Sequence, residues 1–71
     1  EVDFVAEKQG TYTYFQVTAD MTAQETFERE MKPLRRIRDN YEKIVLTGDR
    51  LTLGNYDGIQ VKYLPDWLLE K

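Results

Sequence analysis

An α/β (α+β) fold with elements in the order β-β-α-β-β-α is predicted by three features of the chain. Residues 2–7 and 11–18 are dense in β-branched and aromatic side chains on either side of Gln9-Gly10. From about residue 23, Phe27, Met31, Leu34, Ile37 and Tyr41 follow at helical spacing. After them, Ile44-Val45-Leu46 forms a short apolar run, and Ile59, Val61 and Tyr63 alternate. Together they give a mixed sheet of about four strands with one long, kinked helix on a face.

The first two strands are expected to form a hairpin. A two-residue loop at Gln9-Gly10 suits a type I′ turn, with glycine supplying a positive φ. That turn sets the register: Val5 faces Tyr14, Phe4 faces Phe15, Asp3 faces Gln16 and Glu1 faces Thr18. Alternation then places Val2, Phe4, Ala6, Phe15 and Val17 on a core face. Glu1, Asp3, Val5, Glu7, Tyr12, Tyr14, Gln16 and Thr18 fall on the other face, polar around Asp3 and Gln16 and half-apolar around Val5 and Tyr14.

Thr22-Ala23-Gln24-Glu25 matches a capping box, with Thr22 as N-cap. Pro33 is expected to kink or break the helix at Lys32-Pro33, because proline removes a backbone donor and restrains the residue before it. Acids come early (Glu25, Glu28, Glu30) and bases late (Arg35, Arg36, Arg38), as the helix dipole favours. Arg38 falls near the apolar stripe of an ideal helix, which calls for snorkelling or an outward turn at the kink. The Ile44-Val45-Leu46 run reads as a buried parallel strand, reached from the hairpin by a right-handed crossover. Gly48-Asp49 and residues 54–58 read as turn and loop. Pro65 suits the first residue of a terminal helix carrying Trp67, Leu68 and Leu69, with Trp67 in the core.

Composition narrows the chemistry. The chain has 71 residues, room for one domain, 1–71, and contains no internal repeat. It has no cysteine, which removes disulfides and thiolate metal sites and fits a cytoplasmic location. It has no histidine, which removes Ser-His and Cys-His chemistry and the commonest zinc ligand. A net charge of −3 gives no support to bulk nucleic-acid binding. No apolar run is long enough for a membrane-spanning helix, so no membrane partner is expected. The first residue is not Met and already reads as strand, so a fragment of a longer protein is expected.

The polar end of the hairpin is the candidate site. Hard cations such as Mg²⁺ take carboxylate oxygens, often one or two plus waters. Asp3, with Glu1 on the same strand face, offers at most a weak metal site, and a catalytic site would want a further ligand opposite and a nearby cation.

Glu1-Val2-Asp3-Phe4 followed by Tyr14-Phe15-Gln16-Val17-Thr18 resembles the strand pair of restriction-endonuclease-like nuclease domains, which carry an Asp on one strand and (Asp/Glu)-x-Lys on the next. With Glu28-Arg29-Glu30, Pro33-Leu34, Asp39-Asn40-Tyr41 and Asp57-Gly58-Ile59, nearly the whole chain resembles a C-terminal domain of bacterial and archaeal AAA-type P-loop ATPases, a domain of unknown function. The resemblance implies a truncated nuclease-like core and an ATPase module upstream in the same chain, since no phosphate-loop motif occurs here. It places Asp3 at the nuclease Asp, Gln16 at the second acid and Thr18 at the lysine, so the site reads as degenerate. No cofactor is expected in these residues, with Mg²⁺ only if the site were live.

Three functions stay open: a non-catalytic protein or nucleic-acid interaction module, a metal-dependent nuclease, and a purely structural domain. The first is favoured because Gln16 and Thr18 lack the acid and the base that phosphodiester cleavage would use.

Overall fold

The computed structural model describes residues 2–70. Its elements are β1 (Phe4–Lys8), β2 (Thr11–Thr18), α1 (Gln24–Arg35), β3 (Glu42–Thr47), β4 (Gly54–Tyr56), β5 (Ile59–Tyr63) and α2 (Leu64–Leu69). They build a five-stranded mixed sheet in the order β1-β2-β3-β5-β4. The α+β class holds, with one more strand than expected. The added strand, β4, is three residues long, too short for a periodic pattern, and lies within residues 54–58, where the sequence predicts turn and loop. It pairs with β5 through Asp57-Gly58, both at positive φ (55° and 92°).

The first hairpin has the expected register, Phe4 opposite Phe15 and Val5 opposite Tyr14. Gln9 and Gly10 both take positive φ, 55° and 82°, as a type I′ turn requires. β2 and β3 run parallel, as do β3 and β5, so β3 lies between two parallel neighbours and is apolar on both faces. Alternation sends Val45 to one face and Ile44 and Leu46 to the other.

Each face has its own helix. Met31 and Leu34 of α1 bury against Val45, Ile59, Val61 and Met21, with Phe27, Tyr14 and Ile37 around them. On the opposite face, Leu64 and Trp67 at the start of α2 pack on Phe15, Ile44 and Leu46, with the Trp67 ring 5.4 Å from Phe15. Trp67 is half-buried there, and Phe15 also stacks on Phe4 at 4.7 Å.

These contacts overturn part of the expected sorting of hairpin faces. The Tyr14–Gln16 face is not a wet one: α1 lies over it, and Gln16 is 4% exposed. Val2 packs with the α1 cluster, away from Phe4, because the strand ends at Phe4 and the chain bends at Asp3. Val17 stays 38% exposed, because α2 has only six residues and does not reach it.

The helix also departs from expectation at both ends. Its N-cap is Ala23, with no side-chain cap. Thr22 makes no capping box, because Asp20 Oδ1 takes both its N–H (2.8 Å) and its hydroxyl (2.7 Å) in a local turn. No break falls at Lys32-Pro33: α1 runs through Pro33 and stops at Arg35. Proline leaves the carbonyl one turn back without its donor, but burial of Met31 and Leu34 on either side holds the turn. Ile37 and Tyr41 therefore lie beyond the helix, and Arg38 is exposed on the connection to β3.

Where β2 and β3 end together, Gly48 N–H donates to the Thr18 carbonyl at 3.1 Å. A side chain at position 48 would run into the backbone carbonyl of Ala19. Gly48→Ala should therefore destabilise the domain by about 1–3 kcal/mol. A chemical-denaturation midpoint equal to that of the parent chain would refute that close approach.

Candidate functional site

Strand pairing in the hairpin stops at Phe4, yet Asp3 and Gln16 still meet. The Asp3 N–H donates to Gln16 Oε1 at 2.7 Å, and the Val17 N–H donates to Asp3 Oδ2 at 2.8 Å. Side chains here take over the ladder that the backbone abandons. A two-residue turn closes on a hydrogen-bonded pair, Lys8 with Thr11, and alternation makes Val2 with Val17 such a pair too. The Asp3 carboxylate occupies the place of the Val2 carbonyl.

Gln16 reaches inward. Its Nε2 donates to the backbone carbonyl of Glu30 at 3.3 Å and to Glu30 Oε1 at 3.2 Å. The amide has a donor on one side and acceptors on the other, so its orientation follows from its partners. A carboxylate at position 16 would set acceptor against acceptor beside Glu30, and like charge against like charge. Glutamine is what this buried position accepts.

Glu30 appears in the sequence as one of the early helix acids, but its place beside Gln16 does not. It sits on α1 between Phe27 and Leu34, at the spacing of the apolar stripe, and that position was its signal. Its side chain is 17% exposed and stands 4.0 Å from Arg29 Nε. Thr18, at the place of the motif's lysine, donates its hydroxyl to the Asp20 carbonyl at 3.2 Å. Glu1, expected opposite Thr18 and beside Asp3 as a weak metal ligand, lies outside the described residues.

The fit to a divalent cation is poor. One Asp3 oxygen is held by Val17 N–H, and the Gln16 oxygen is held by Asp3 N–H. Among the described residues, no three His, Cys, Asp or Glu side chains converge as a metal-binding group.

A second polar centre lies at the far end of the strands. Tyr14 Oη donates to Asp39 Oδ2 at 2.6 Å, and Lys43 Nζ donates to Asp39 Oδ1 at 3.1 Å. That phenol bond holds the Asp39 carboxyl below its usual range and, in turn, raises the Tyr14 phenol. Lys43 also donates to the carbonyls of Asp39 (2.9 Å) and Tyr41 (2.8 Å), so its three protons are used. Asp39 and Lys43 line an open groove of about 440 Å³ together with Ile37, Tyr41, Asp57 and Ile59.

Asp49 is the most heavily bonded acid. Partial burial opposes its charge, but donors on both oxygens hold the carboxyl well below the usual range. Oδ2 accepts from Met21 N–H (2.9 Å) and the Thr47 hydroxyl (2.7 Å). Oδ1 accepts from Leu51 N–H (2.9 Å), Thr52 N–H (3.0 Å) and the Thr52 hydroxyl (2.8 Å). One carboxylate thus ties the loop after β2 to the loop after β3.

No family model matches the chain, and no solved structure matches it. A protein of Haemophilus influenzae (strain Rd), titled "Uncharacterized protein", is 40% identical over 70 residues. Those residues are 99% of this chain and 17% of that protein, so the chain spans a small part of the relative it matches.

Two measurements check these assignments. Gln16→Ala removes a donor and an acceptor from a buried network and should cost about 1–3 kcal/mol in denaturant unfolding. An unchanged midpoint would show that water replaces the amide freely. For Asp49, the folded carboxyl titrates below the ordinary value of 3.8, so its contribution is complete above that pH and declines as pH falls below it. The stability difference between the parent and Asp49→Asn should therefore shrink in acid, and a constant difference from pH 7 to pH 2 would contradict the tie.

Proposed function

We propose that the chain is a non-catalytic, nuclease-like module that serves a longer protein as an interaction domain for protein or nucleic acid. The observation that carries this reading is the Gln16 amide, buried between the Asp3 backbone and Glu30. It occupies the position at which the resembled motif places its second acid, and its surroundings favour a donor over a carboxylate. Thr18, at the position of the motif's lysine, brings no positive charge to a phosphate.

A truncated restriction-endonuclease-like core is supported by the hairpin followed by a helical connection to a parallel strand. An AAA-type ATPase module elsewhere in the same polypeptide, and a cytoplasmic setting, belong to the same reading. The length of the Haemophilus influenzae relative leaves room for such a module. Among the described residues no helix is long and apolar enough to cross a membrane.

The test uses this chain with Mg²⁺ or Mn²⁺ and both single- and double-stranded DNA. The expected outcome is no cleavage. Cleavage that disappears in Asp3→Ala would overturn the reading and make the domain a nuclease. Amide shifts on adding short DNA without metal would make nucleic acid the partner. Their absence, with binding instead to the remaining polypeptide supplied separately, would make it a protein contact.

A further inference from the structure

The sheet has unequal edges. At one side β4 is three residues long and starts on Gly54. At the other, β1 presents five residues, Phe4–Lys8, all exposed and paired on one side only. Phe4 and Val5 on this edge are 43% and 50% exposed. A longer, apolar, open edge is where another strand adds.

The turn identifies which backbone groups are free. Lys8–Thr11, Ala6–Thr13 and Phe4–Phe15 are the hydrogen-bonded pairs of the hairpin, given its two-residue loop. Val5 and Glu7 therefore point their N–H and C=O groups outward. Toward the N-terminus the edge closes at Asp3, whose N–H is taken by Gln16 Oε1. Toward the C-terminus it closes at Gln9, where φ is 55°.

We propose that this edge is a self-pairing surface: β1 joins β1 of a second copy, antiparallel, about a two-fold axis at Ala6. Val5 of each copy then exchanges both backbone bonds with the partner's Glu7, and every free edge group is used. Ala6 faces the partner's Ala6, and the Phe4 ring meets the partner's Lys8 ammonium. Neighbouring registers do worse. An axis at Val5 sets Asp3 against the partner's Glu7 and needs the spent Asp3 N–H. An axis at Glu7 sets two Glu7 side chains face to face and runs into the turn. In the proposed register no like charges are opposed, and the Glu7 carboxylate is already drawn back to the Gly10 N–H at 2.7 Å. This edge geometry is independent of the nuclease-like reading.

So short a contact gives a weak dimer, and a charge of −3 on each copy makes salt strengthen it. Sedimentation equilibrium from about 10 μM to about 1 mM should show a monomer–dimer equilibrium. Val5→Pro removes one outward N–H and leaves the hairpin ladder intact, so it should keep the thermal transition and weaken dimerisation at least about tenfold. Ala6→Glu and Ala6→Lys should each be monomeric alone, while their mixture should form a one-to-one dimer. A monomer at all concentrations and salts overturns the proposal. So does a dimer that persists in both Ala6 variants, which would place the contact elsewhere. If Val5→Pro does not fold, the Ala6 pair decides alone, because Ala6 is exposed and a change there leaves the interior intact.

Discussion

Parallel strands cannot be joined by a tight turn, and the parallel pairing of β2 with β3 organises this molecule. The chain must leave β2 at one end of the sheet and re-enter β3 at the other, so a helix has to cross a face. That helix buries the face it crosses, and the covered sheet carries apolar residues at alternate positions of β3 and β5. Ile44-Val45-Leu46 is apolar without interruption because β3 is also covered on the other side, by α2. A chain this small has little surplus burial for holding such a crossover. The two ends of the β2–β3 pair are accordingly fastened by polar groups: Asp49 where the strands finish, and the Tyr14–Asp39–Lys43 cluster where β3 begins.

The parts of the fold that were legible in the sequence are those governed by local rules. Gln9-Gly10 fixed a register because a two-residue turn leaves no choice, and Pro65 marked α2 because its fixed φ suits a first helical turn. The illegible parts turned on contacts distant in sequence. Nothing between Tyr14 and Thr18 says that α1 lies above it, so the Gln16 face read as wet. Thr22 matched a capping pattern, but Asp20 stood two residues away and took its hydroxyl first. Pro33 does not break the helix, because the cost of a missing backbone bond is local, while the burial of Met31 and Leu34 that offsets it is not.

The candidate site divides in the same way. Asp3 and Gln16 came from strand register alone, and the structure does bring them together. Their roles were not readable, because a role depends on what each atom touches. Asp3 looked like a free ligand and is a substitute for a backbone carbonyl. Glu30 came into view only once the helix was placed over the sheet, although its position among Phe27, Met31 and Leu34 already put an acid on an apolar stripe.

The chemistry of position 16 follows from that neighbour. An acid there would share a partly dry space with Glu30, and two carboxylates so placed share a proton or recruit a cation. An amide resolves the conflict without either, by turning a donor toward Glu30 and an acceptor toward Asp3. Glutamine at position 16 thus avoids a repulsion in the core. In a small domain without disulfides, a hydrogen-bonded link from the edge of β1 through β2 to α1 has a structural use of its own. It joins the sheet's open edge to the helix that covers its centre, so the edge is anchored at Asp3, just before the free backbone groups that begin at Val5.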